Sequence, residues 1–150
     1  MKPKQTSKNR ENVNEWTVKK SGLLTLERTG HMIIKIDDYS DVPIYMQIRN
    51  QIVMGISSGE LAPGEQLPTV RALALEMGIN TMTVSKTYQL LKQEGYIMTD
   101  RKNGARVREQ ITQSGVVSEE NKLQLRRIVS EARLSGVGKD VLKKLIDEFY

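Results

Sequence analysis

QLPTVRALALEMGINTMTVSKTYQLLKQEGYIMTDRKNGARVR, residues 66–108, decides the fold. Pro68 precedes Thr69, whose hydroxyl can accept from the free N–H groups that open a helix. Val70, Leu73, Ala74 and Met77 then recur at helical spacing, which predicts one buried face. Gly78 supplies the positive φ of a helix C-terminus, and Asn80 is an N-cap for a second helix. That helix, Asn80 to Glu94, would be roughly 22 Å long at about 1.5 Å per residue. Val84, Tyr88 and Leu91 make its core stripe. Its opposite face carries Met82, Ser85, Lys86 and Gln89, with Thr81 and Thr83 beside them near the N-terminus. Small, polar and basic groups at a helix N-terminus suit the reading of base edges in a major groove.

Beyond Gly95 the chain turns β-prone from Tyr96 to Thr99, and Asn103-Gly104 is a strong hairpin signal. Arg101, Lys102, Arg106 and Arg108 cluster around that turn and make the hairpin a basic wing. Two helices joined by a tight turn and followed by such a wing predict a winged helix-turn-helix. The fold class expected is mainly α with a small β-wing, followed by a two-helix C-terminal tail.

The run PGEQLPTVRALALEMGINTMTVSKTYQLLKQEGYI, with IYMQIRNQIVMGISSGEL before it, resembles the DNA-binding domain of GntR-type bacterial transcription regulators. The likeness covers roughly Pro43 to Val107 and rests on LP-x-x-R-x-L-A and the later T-V-x-x-x-Y-x-x-L-x-x-x-G. The resemblance implies that Arg71 contacts DNA, with Thr81, Met82 and Ser85 at the start of a recognition helix. The wing departs from the family's usual R-G-x-G-T-F-V: Arg101-Lys102-Asn103-Gly104-Ala105-Arg106-Val107 loses a glycine and puts an arginine where the aromatic stands.

Upstream, Met32 to Ile36 is a brief β-branched strand or extended lead-in, and Asp37-Asp38 reads as a solvated loop. Pro43 then opens a helix whose Ile44, Ile48, Ile52, Val53 and Ile56 form its core face, with Tyr45 and Gln47 off that face. Ala62-Pro63-Gly64 is a turn, and Leu67 pins the next segment to the core as a small strand beside the wing. The Gly59–Gly64 spacing imitates a phosphate loop, but Glu65 stands where lysine is required. Residues 1–31 hold seven Lys/Arg against three Asp/Glu and, although Leu23, Leu24 and Leu26 could form a short strand or helix, show no clear periodicity. They read as a disordered basic extension, or as an upstream addition to a protein starting at Met32. The basic excess of this region supplies most of the chain's net charge of +5. Residues 71–108 carry the same seven against three, a local concentration that fits phosphate contact.

Downstream, residues 109–117 are a polar linker, and Ser118-Glu119-Glu120 signals a helix start. Leu123, Leu125, Ile128, Val129 and Ala132 form one apolar stripe, and Ser135–Gly138 breaks the helix. A last helix follows from about Lys139, with Val141, Leu142, Leu145, Ile146 and Phe149 on its apolar face. Two such helices cannot enclose a core alone. A second copy would cover them, so Leu125, Ile128, Val129, Val141, Leu145 and Phe149 are the expected dimer contacts of residues 118–150. This layout also resembles the short-tailed, YtrA-like branch of the family.

Several chemistries find no support. The chain of 150 residues has no cysteine, and its single histidine, His31, stands in the extension. No nucleophile–base set, carboxylate dyad or metal-ligand cluster can be assembled around it. Neither an enzyme nor a cofactor is expected. No apolar run of 18 residues exists, so no membrane span is expected and a cytoplasmic location is. The expected function is a dimeric, sequence-specific transcription regulator, a repressor on a near-palindromic operator. The expected double-stranded DNA contacts are Arg71, Thr81, Met82, Thr83, Ser85, Lys86, Arg101, Lys102 and Arg106. A winged helix serving only protein interaction is the alternative; a small-molecule effector is compatible with either, although nothing in the sequence indicates one.

Overall fold

The computed structural model describes residues 16–21, 23–28, 33–102, 104–111 and 115–150. His31, Met32 and Asn103 of the hairpin turn lie outside them, as do the first 15 residues. The chain divides into two compact units, Met1–Ile111 and Thr112–Tyr150.

The first unit begins with three antiparallel strands, β1 (Trp16–Ser21), β2 (Leu23–Arg28) and β3 (Ile33–Ile36). Residues 16–21 and 23–28, which fall within the stretch read as a disordered extension, form β1 and β2. The physical reason lies in the register. Leu24 pairs with Ile36 and Leu26 with Ile34, and both isoleucines are buried. The backbone of β2 thus pairs along one edge of β3. β3 alone, four residues long, would leave one edge unpaired.

The other edge of β3 is closed from α1 (Ile44–Ser57) by two glutamines one helical turn apart. The Gln51 carboxamide accepts from the Lys35 N–H (2.8 Å) and donates to the Lys35 carbonyl (2.6 Å). Gln47 does the same with Asp37, at 2.9 Å each way, and also donates to the Val42 carbonyl. Pro43 stands just outside α1 as its N-cap, one position earlier than the first helical turn expected for it. Ile48 and Ile52 are fully buried, with Ile44, Val53 and Ile56 packed at the margin of the core.

α2 (Val70–Met77) and α3 (Thr81–Gln93) follow the caps legible in the sequence. The Thr69 hydroxyl accepts from the Ala72 N–H at 3.1 Å, and the Asn80 side chain accepts from the Met82 N–H at 2.7 Å. Gly78 closes α2 at φ 65°, where a side chain would be strained. Leu73, Ala74 and Met77 of α2 meet Val84, Tyr88 and Leu91 of α3 in one core with Leu61, Leu67 and Ile97. Each large apolar side chain enclosed in this way contributes about 1.5–3 kcal/mol.

The wing is β4 (Ile97–Asp100) paired antiparallel with β5 (Gly104–Val107), from Ile97↔Val107 to Asp100↔Gly104. A third rail lies beside β5. Gln66 bridges Arg106, the Leu67 N–H donates to Ala105, and the Val107 N–H donates to Glu65. The tail unit contains α4 (Glu119–Leu134), capped by the Ser118 hydroxyl, and α5 (Lys139–Phe149). No residue of either helix is buried.

Candidate nucleic-acid interface

The outward face of α3 forms a ridge, because Val84, Thr87, Tyr88 and Leu91 commit its other side to the core. Thr81 and Met82 are exposed at its N-terminus, Met82 at 73 % of its surface. Ser85 is half-buried and Gln89 exposed one turn later. A cleft of about 310 Å³ runs along one flank of this ridge, between Thr69 and Val70 at the start of α2 and Thr99, Asp100 and Gly104 of the wing. A more open groove of about 570 Å³ runs along the other flank, bounded by Tyr45 of α1. Ser85 and Gln89 line both. A polar helical ridge between two hollows is the shape that enters a major groove while the sugar-phosphate strands pass on either side.

Two buried interlocks hold the ridge in place. The Tyr88 hydroxyl donates to the Pro68 carbonyl at 2.8 Å, tying α3 to the segment that enters α2. Burial, reinforced by the negative charge of Glu76, pushes the Tyr88 phenol above its ordinary range, so it stays a donor. Thr87, which the sequence pattern left out of the core, is fully buried. Its hydroxyl bonds the Tyr45 carbonyl and the Thr83 carbonyl, both at 3.1 Å. No periodicity signals such a contact, since Tyr45 and Thr87 belong to different helices. At the far end of α3, Arg49 pairs with Glu94 at 2.8 Å and lies 5.6 Å from the centre of the Tyr96 ring.

The expected contact residues divide into two groups. Arg71 lies exposed in the first turn of α2 and forms no ion pair with Glu76. Arg101 and Lys102 are exposed at the wing turn, where the Asp100 carboxylate accepts from the Lys102 N–H at 2.9 Å and shapes the bend. The Lys86 ammonium sits 3.8 Å from the centre of the Tyr45 ring. Thr83 is half-buried and spends its carbonyl on Thr87. The Arg106 guanidinium lies 4.0 Å from the Asp100 carboxylate beside the wing turn, and its Nε is enclosed without a partner. Leu125, Ile128, Val129, Val141, Leu145 and Phe149 are all exposed on the tail helices.

Nothing among the described residues gathers three or more His, Cys, Asp or Glu side chains for a metal ion. No helix among them is long and apolar enough to cross a membrane.

Residues 44–107 match the sequence pattern of bacterial regulatory proteins of the gntR family. The HTH-type transcriptional repressor YtrA of Bacillus subtilis (strain 168) is 36% identical over 118 residues, which span 77% of this chain and 91% of that protein. Among solved structures, a transcriptional antiterminator from Listeria monocytogenes EGD-e aligns with a TM-score of 0.66 at 30% identity, over 76% of this chain and 87% of that one. A transcriptional regulator from Oenococcus oeni aligns at 0.52 and 30% identity, over 75% and 95% of the two chains.

Proposed function

Because the chain belongs to the GntR family, in its YtrA-like branch, and is a DNA-binding transcription regulator, we propose that it acts as a dimeric repressor on a near-palindromic operator. Each copy lays α3 in a major groove, with Thr81, Met82, Thr83 and Ser85 toward the bases. Arg71 and Lys86 take flanking phosphates, and Arg101 and Lys102 reach the backbone beside the wing. Arg106 adds charge on the wing, partly offset by the Asp100 carboxylate beside it. The observation that carries this reading is the α3 ridge itself: an exposed polar face set between two grooves and bordered by exposed lysines. The half-sites of two copies should lie about one helical turn apart, roughly 34 Å.

The dimer is supported by the tail. α4 and α5 each present an apolar stripe, and neither buries a residue within one chain. A second copy covers both stripes and supplies the two-fold axis that a palindrome needs. A cytoplasmic location goes with a DNA operator as the partner.

Selection from a random duplex library tests the reading, with the wild type beside Arg71→Ala. The wild type should enrich a two-fold symmetric site, and Arg71→Ala should weaken binding to all sequences about alike and lower the salt slope by about 1. Enrichment of an asymmetric site would overturn the dimer. No enrichment at all would leave the winged domain as a protein-interaction module.

A further inference from the structure

The groove on the α1 side of the ridge contains one contact that neither the periodicity of α1 nor that of α3 explains. Tyr45 stands in the first turn of α1, half-buried, and its ring carries the Lys86 ammonium at 3.8 Å. We infer that Tyr45 is a positioning residue for the DNA backbone: its ring holds Lys86 ready for a phosphate in the groove. This rests on the DNA-binding reading above.

Three features support the assignment. The backbone of Tyr45 is locked to α3 by the Thr87 hydroxyl at 3.1 Å, so the ring stands at a fixed height against Lys86. The groove they share is lined otherwise by Met82, Thr83, Ser85 and Gln89, with no carboxylate to repel or compete for a phosphate. An ammonium has three donors, and a ring on one side leaves the others free to face an anion. A lysine in open solvent loses most of its rotamer freedom when it grips a phosphate. One already restrained by an aromatic face loses less, so the ring improves affinity without touching the DNA.

The test is a double-mutant cycle with a labelled mixed-sequence duplex, titrated at several low salt concentrations. A phosphate contact is independent of sequence, so this probe reports it directly. Tyr45→Phe should bind as the wild type does, and Tyr45→Leu should bind roughly two- to fivefold more weakly. Lys86→Met should lower the salt slope by about 0.9. In the Lys86→Met background, Tyr45→Leu should cost nothing further. An equal loss in both backgrounds, or no loss in either, overturns the inference while leaving DNA binding intact. Absence of salt-dependent binding by the wild type overturns the DNA reading and this inference with it. Should Tyr45→Leu fail to fold, the wild-type proton spectrum decides: the Lys86 ε-methylene should be shifted upfield by the ring current, and an unshifted signal overturns the stacking.

Discussion

The winged unit and the tail are built from equally well-marked helices, yet they treat their apolar faces in opposite ways. Thr69, Asn80 and Ser118 cap their helices by the same kind of side-chain bond. In the winged unit the stripe of α3 disappears: Val84 and Leu91 are at 0 % exposure. In the tail, Leu145 keeps 40 % and Phe149 keeps 81 %. Amphipathic patterning therefore says that a face will be covered, but not by what. Coverage in the winged unit comes from its own strands and helices. For the tail it must come from elsewhere, because helices of 16 and 11 residues are marginal in water without packing.

The sharpest way to break the contrast is to damage each side in turn. Leu73→Ala opens the sealed core between α2 and α3 and should cost about 2–5 kcal/mol in chemical denaturation. It should leave the association of two copies unchanged at concentrations where the domain stays folded. The converse substitution is Ile128→Asp together with Leu145→Asp in the tail. Sedimentation should then report a monomer, and the affinity for a full operator should fall about a hundredfold as the linkage between half-sites is lost. The unfolding midpoint of the winged unit should not move. A variant that still sediments as a dimer would place the interface somewhere other than these stripes.

The smallest expected effect lies where the sealed core is imperfect. Glu76 on α2 has one carboxylate oxygen enclosed without a partner, and desolvation raises its pKa above the ordinary 4.5. A carboxyl with a raised folded pKa destabilises the fold only when ionised. The penalty is absent below 4.5, where folded and unfolded chains are both protonated, and grows as pH rises through the folded value. Glu76→Gln should thus raise the unfolding midpoint at pH 7, by under about 1 kcal/mol, with no gain at pH 4. An equal gain at both pH values would exclude ionisation as the cause.

The parts of the fold that were legible in the sequence are those whose signals are local. Caps, the αL glycine at Gly78 and the i, i+4 stripes of α1, α2 and α3 depend only on neighbouring residues, and they placed the helices closely. What escaped depends on partners distant in the chain. Gln47 and Gln51 sit at helical positions like any surface glutamine, and only the approach of β3 turns them into a substitute strand edge. Leu24 and Leu26 admit a strand or a helix, and only their pairing with Ile36 and Ile34 decides between them. The interface divides the same way. Exposure of Thr81, Met82 and Arg71 followed from helical phase, whereas the pairing of Arg106 with Asp100 and the stacking of Lys86 on Tyr45 link positions whose distance apart only the fold determines.

The rail beside β5 has a consequence for how the protein senses a duplex. Bonds from Leu67 to Ala105 and from Val107 to Glu65 hold the base of the wing to the segment that enters α2. The gap between ridge and wing is consequently set by the protein, as in a caliper with its jaws locked. When such a tool meets DNA, the nucleic acid is the softer body and must supply the adjustment. Sequences whose grooves already have the matching width avoid that deformation energy. Discrimination should therefore extend to base pairs beneath the wing that no side chain touches.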